Sequence, residues 1–124
     1  MRGPRPRVPK GGEIYSVDPN PVVGREMRDR HYWIVLTPEA VNVHGVSVAV
    51  IVTTAAVGAR AAGLTVPVSG AGVTGVAVCT YLRSFDLRSR LADGSARLAG
   101  VVDSVTVDDI AARVASLVDP EPDA

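Results

Sequence analysis

Five stretches of the chain carry apolar residues in patterns that belong to β-strands. Glu13-Ile14-Tyr15-Ser16-Val17 alternates polar with apolar, the period of a half-buried strand, and Asp18-Pro19-Asn20-Pro21 ends it. Tyr32–Leu36 is aromatic and β-branched, and Val46–Val52, following His44-Gly45, is dominated by Val and Ile, which predicts a buried strand. Leu64–Val68 and Val76–Leu82 add two more. Between the second and third runs, Thr37-Pro38-Glu39-Ala40 predicts a short helical turn with Thr37 as N-cap and proline at the first helical position. The period changes towards the end. Thr106-Val107-Asp108-Asp109 reads as a capping box, Ile110, Val114, Leu117 and Val118 recur at helical spacing, and Pro120 closes the helix. A shorter helix is expected over Asp86–Leu91. Short strands with one amphipathic helix predict a mainly β, α+β domain: a compact barrel or sandwich sealed at one end by the helix.

Composition adds bounds to that picture. With 124 residues, 47% hydrophobic and 21% charged, the chain is one ordinary domain, long enough to bury about two-thirds of its unfolded surface. Residues 1–11 carry three prolines and little that is apolar, which predicts a mobile basic arm; residues 12–119 are expected to form the single domain and 120–124 a disordered tail. Cys79 alone cannot make an internal bridge, and together with His31 and His44 it makes a poor zinc site, so no cofactor is expected. It reads as a small buried hydrophobe. The basic start is not followed by the apolar stretch of a secretory signal, and Val46–Ala59 falls short of the ~20 residues that cross a bilayer. A cytoplasmic protein without a membrane partner is expected. The net charge of zero conceals an asymmetry: residues 1–33 hold seven Arg or Lys against four acids, whereas from Gly100 onward six acids face Arg113 alone. A basic first third suits a phosphate-bearing partner.

One glycine motif is set aside. Gly70-Ala71-Gly72-Val73-Thr74-Gly75 has the spacing of a dinucleotide-binding fingerprint, in which the last glycine opens a helix. The next six residues, Val76-Ala77-Val78-Cys79-Thr80-Tyr81, are instead rich in strand formers, so these glycines predict a turn between two strands.

A further set of motifs resembles the opening of MazF/PemK toxins. Gly12-Glu13-Ile14-Tyr15 leads into Asp18, Pro21, Gly24 and Glu26, the family's D-x-x-P-x-x-G-x-E, without a gap. Ile34-Val35-Leu36-Thr37-Pro38 with Asn42, then Val52-Thr53-Thr54, Leu64–Val68, Gly75-Val76 and Arg83-Ser84 with Asp86 continue the family's order, so that the resemblance covers about residues 12–118. It implies an SH3-like, partly closed barrel with a C-terminal amphipathic helix, a homodimer, and a cognate antitoxin protein that folds across the active groove. The implied activity is metal-independent cleavage of single-stranded RNA to 2′,3′-cyclic phosphate and 5′-hydroxyl ends.

In the family an Arg just before the second strand and a Thr at the end of the third act on the scissile phosphate; here those positions are His31 and Thr53. The resemblance also points to Glu26 in a supporting catalytic role, and to Arg25, Arg28, Thr54, Tyr81 and Arg83 as RNA contacts. Metal-free cleavage needs a 2′-hydroxyl deprotonated, a pentavalent phosphorus stabilised and the leaving 5′-oxygen protonated. Histidine suits the proton transfers, since an imidazole gives and takes protons near neutrality. It lacks the fixed charge and bidentate fork by which arginine holds phosphate, and Arg30, with Arg28 or Arg83, is the candidate to compensate. If residues 30–33 are extended, Arg30 and His31 point to opposite faces, and compensation by Arg30 then needs a loop geometry. Tyr81 stands near a position where relatives carry an amide such as Gln, and an aromatic there can stack on a base. Tyr32 replaces the family proline. These departures keep two alternatives open: a gyrase-poisoning toxin of the CcdB type on the same fold, and a catalytically degenerate RNA-binding or dimerisation module. Trp33 and Tyr15 read as core aromatics and His44 as part of a turn. The nuclease reading requires His31 and Thr53 to face one groove.

Overall fold

The computed structural model describes residues 7–18, 30–53, 63–70 and 72–118. Within them the elements run β1 (Glu13–Val17), β2 (His31–Val35), α1 (Glu39–Asn42), β3 (Ser47–Thr53), β4 (Thr65–Gly70), β5 (Val73–Phe85), α2 (Leu87–Asp93), β6 (Ala96–Val101) and α3 (Ser104–Val118). The strands form one antiparallel sheet in the order β4-β5-β3-β2-β1-β6. The α+β architecture expected from the sequence is observed, with an open sheet whose edges are β4 and β6.

Both faces of this sheet are apolar, which explains why β3 and β5 read as near-continuous hydrophobic runs. Alternate residues point to opposite sides of a strand. One face gathers Tyr15, Val17, Trp33, Val35, Ala49, Ile51 and Phe85, closed by Leu87 and Leu91 of α2. The other gathers Ile14, Ile34, Val50, Val66, Ala77 and Cys79, closed by Val107, Ile110 and Val114 of α3. Ile110 is fully buried there, and burying a side chain of that size is worth about 1.5–3 kcal/mol. Cys79 lies in the same cluster, where burial pushes its thiol above the usual range, the setting of a small hydrophobe and not of a reactive thiolate.

Several expected details differ. α3 begins at Ser104, so Thr106 lies inside the first turn; the turn closes through the Val107 N–H donating to the Asp103 carbonyl. Leu117 and Val118, periodic in the sequence, are exposed at the helix end. Pro38, not Thr37, caps α1, because the Thr37 hydroxyl is engaged elsewhere, with Asn42 Oδ1 and the Val48 N–H. β6 was not legible as a strand: Ala96 and Gly100 supply its buried positions, and such small side chains give little hydrophobic contrast. The glycine motif is the β4–β5 hairpin, with Gly70 paired to Val73 and Gly72 at φ +91°, and the chain leaves it as a strand.

Residues 7–11, assigned on sequence to an arm, are held against the domain. Pro9 is buried and its carbonyl accepts from Asn42 Nδ2 at 2.8 Å. Glu13, 4% exposed at the start of β1, accepts from Arg7 Nη2, from the Lys10 N–H at 2.7 Å and from the Tyr15 hydroxyl at 2.8 Å. A buried carboxylate survives only with such partners. Burial first, then the hydrogen bond to and charge of Glu13, push the Tyr15 phenol above its ordinary range, with Arg7 opposing.

Glu13→Ala leaves the Tyr15 hydroxyl and the Lys10 N–H without their acceptor and is expected to destabilise the fold by about 2–3 kcal/mol in urea unfolding. Arg7→Ala, whose side chain is 45% exposed, should cost less than about 1 kcal/mol. Because the Tyr15 pKa is raised by folding, its contribution is whole below about pH 10 and declines as pH climbs beyond that. Tyr15→Phe should therefore flatten the alkaline fall of unfolding free energy.

Candidate active site

β2 enters the sheet at His31 and β3 leaves it at Thr53, and the antiparallel pairing lays those two ends side by side. Tyr32 pairs with Val52, Trp33 with Ile51, Ile34 with Val50 and Val35 with Ala49. One further step of the same register sets His31 opposite Thr53, and directly opposed side chains of antiparallel strands project to the same face. The two residues share a cleft of about 300 Å³ lined by Arg30, His31, Tyr32, Val52, Thr53 and Thr74. His31 also pairs with Val17 of β1, so the imidazole is carried by an interior strand held on both sides.

Arg30 precedes β2 and projects towards β1, where its Nη1 donates to Ser16 Oγ at 3.2 Å. Ser16 pairs with Tyr32, so Arg30 leans to the Tyr32 side of the strand, opposite to His31. Both still line the cleft, because it lies across the ends of the strands. The cleft thus joins an imidazole, a hydroxyl and a guanidinium beside an exposed phenol, a set able to transfer protons and to hold an anion.

Thr53 owes its position to β5. Thr53 pairs with Val76, and Gly75 lies against its carbonyl: a Cβ built on Gly75 would stand 3.0 Å from the Thr53 oxygen and 3.1 Å from Val52 Cγ1. The glycine that the sequence suggested as part of a turn therefore permits close approach of two backbones under the cleft. Thr74, Tyr32 and Val52 were not singled out on sequence as site residues; the strand register is what brings them there.

Tyr81 and Arg83 are not among the lining residues. They lie on the same face of the sheet farther along β5, where Arg83 pairs with Ala49 and the Tyr81 ring meets Trp33. Arg25, Glu26, Arg28 and Thr54 lie outside the described residues. Among the described residues, no three or more His, Cys, Asp or Glu side chains are grouped as they would be to hold a metal ion, and no helix is long and apolar enough to cross a membrane.

Gly75→Ala is expected to push β5 from β3 beneath Thr53, lowering stability by about 1–3 kcal/mol in thermal or urea unfolding. A variant as stable as the parent would show that the two strands separate freely there.

Comparison with known proteins identifies the family. Residues 10–118 match the family described as PemK-like, MazF-like toxin of type II toxin-antitoxin system. Endoribonuclease PemK of Escherichia coli is 35% identical over 97 residues, spanning 76% of this chain and 71% of that protein. MazF from Deinococcus radiodurans superposes with a TM-score of 0.70 at 29% identity, covering 90% of this chain and 97% of that one. A MazE-MazF crystal structure from the same organism gives 0.74 at 29% identity, covering 90% and 96%. The chain belongs to the family of PemK-like, MazF-like toxins of type II toxin–antitoxin systems.

Proposed function

We propose that this chain is a toxin that cuts single-stranded RNA at short sequences without a metal ion, leaving 2′,3′-cyclic phosphate and 5′-hydroxyl ends. The observation that carries the reading is the convergence of His31 and Thr53 on one cleft beside Arg30. The E. coli relative bears the name endoribonuclease.

In this mechanism the 2′-oxygen attacks phosphorus and the bond from phosphorus to the 5′-oxygen breaks. His31 takes the 2′-hydroxyl proton, and solvent water protonates the leaving 5′-oxygen. The Thr53 hydroxyl donates a hydrogen bond to a non-bridging phosphate oxygen as charge develops there. Arg30 supplies the fixed positive charge that an imidazole lacks, once its guanidinium exchanges the Ser16 hydroxyl for phosphate. Glu26 assists these proton transfers, and Arg25, Arg28 and Thr54 contact the RNA.

A cognate antitoxin occupies the same groove; that there is such a protein partner is supported by the MazE-MazF structure of the D. radiodurans relative. The proposal includes a homodimer in the cytoplasm. Leu98 and Val101 of the edge strand β6 and Val105, Leu117 and Val118 of α3 are the exposed apolar side chains that a second copy would cover.

RNA incubated with the protein in EDTA should give discrete fragments on denaturing gels; intact RNA across many sequences counts against the proposal. His31→Gln and Thr53→Ala should each slow cutting by at least about a hundredfold, while leaving the unfolding transition in place. A variant that keeps the full rate clears that residue of a catalytic role.

A further inference from the structure

On the side of the sheet that α3 covers, the cover is partial. α3 packs mainly on β4 and β5, and the corner where β2 and β6 begin and β1 ends is left exposed at Tyr32 and Arg97. Cross-strand pairing sets one row of side chains over that corner. Tyr32 of β2 pairs with Ser16 of β1, and Ser16 pairs with Arg97 of β6. The three project from one face, on neighbouring strands about 4.8 Å apart. Tyr32 also lines the cleft, so the row starts at the candidate active site and runs outward to the sheet edge.

Arg30 reaches the same row from the cleft, its Nη1 donating to Ser16 Oγ at 3.2 Å. Guanidinium groups from Arg30 on one side and Arg97 on the other therefore flank a single hydroxyl. Among the described residues the ion pairs are those of Arg7 with Glu13 and Arg113 with Asp109, so neither Arg30 nor Arg97 pairs with a carboxylate there, Asp18 at the end of β1 included. Two positive charges gathered without a counter-charge favour an anion, and the planar fork of a guanidinium matches a phosphate. The Ser16 hydroxyl, which accepts from Arg30, keeps a proton to give.

We propose that Arg97 and Ser16, with Arg30 at the inner margin, form a subsite for the RNA phosphate next to the scissile one, so that the strand leaves the cleft across β1 towards β6. The incoming phosphate takes the Ser16 hydroxyl from Arg30 and frees that guanidinium for the phosphate undergoing cleavage. This rests on the nuclease reading above, because the row opens from the same cleft. A phosphate contact carries no information about the bases. The subsite therefore adds affinity on every sequence and leaves selection to other side chains.

The test uses the full chain and single-stranded dodecamers of random sequence carrying 2′-O-methyl groups, which bind without being cut because the attacking hydroxyl is blocked. Anisotropy of an end-attached dye gives the affinity over a series of chloride concentrations. Arg97→Ala should weaken binding roughly tenfold and lower the slope of log affinity against log salt by about 0.7, the share of one phosphate of a single strand. Arg97→Lys should keep the slope, and Ser16→Ala should lower affinity without changing it. Urea midpoints of the three variants should stay close to the parent's. If inorganic phosphate, replacing chloride at equal ionic strength, abolishes the difference between the parent and Arg97→Ala, the site takes the free anion and the RNA path is overturned. If Arg97→Ala binds with the parent's affinity and slope while the parent cuts RNA, Arg97 is left to a protein carboxylate or to solvent: the subsite is overturned and the nuclease reading stands. A parent that binds through Arg97 but cuts no RNA keeps the subsite and loses the nuclease reading. If the parent neither binds nor cuts, both are overturned.

Discussion

The pairing of β2 with β3 is the constraint on which the rest of this protein depends. Four consecutive pairs, from Tyr32 with Val52 to Val35 with Ala49, fix the alignment. Slipping it by one residue would turn Trp33 and Val35 out of one core, or Ile34 out of the other, because the side-chain period of a strand is two. Burial of these residues on both faces therefore holds the register, and the register in turn holds His31 beside Thr53. The cleft at the strand ends is a by-product of core packing. Its residues need no contacts of their own to stay aligned.

Polar groups reinforce the same frame at its margins. Asn42, fully buried, donates to the carbonyls of Pro9 and Thr37 and so ties the segment before β1 to the turn between β2 and β3. Glu13 gathers three donors at the start of β1. On the other side, Arg90 of α2 donates to the Asp18 carbonyl while lying 5.5 Å from the centre of the Phe85 ring. α2 is thereby fixed both to the end of β1 and to the aromatic face.

Much of this was legible in the residues. Alternation in 13–17, the β-branched run before Val52 and the helical spacing of Ile110 and Val114 reflect burial directly, and burial is what sequence patterns record. β6 escaped because Ala96 and Gly100, its buried positions, make a strand by pairing with β1 without the contrast of large apolar residues. The helix start at Ser104 escaped because a competing capping pattern lay two residues later. Of the site, Arg30, His31 and Thr53 were found through the family resemblance, which carries positional information that composition lacks. Thr74 and the steric role of Gly75 depend on which strands are neighbours, and pairing between residues far apart in the chain leaves no local trace.

β5 pairs with β4 over Val73–Val78 and with β3 at two separate places, Val76 and Ala77 and then Leu82–Phe85. The four residues 78–81 lie between the two stretches paired with β3, and Tyr81 is the last of them. Adding or deleting one residue there would swing Tyr81 and Arg83 to the far side of the sheet and bring Leu82 outward. Divergence among descendants of this chain is thus channelled into exchanges of side chain at fixed length, and alignments of such descendants should stay ungapped across this stretch.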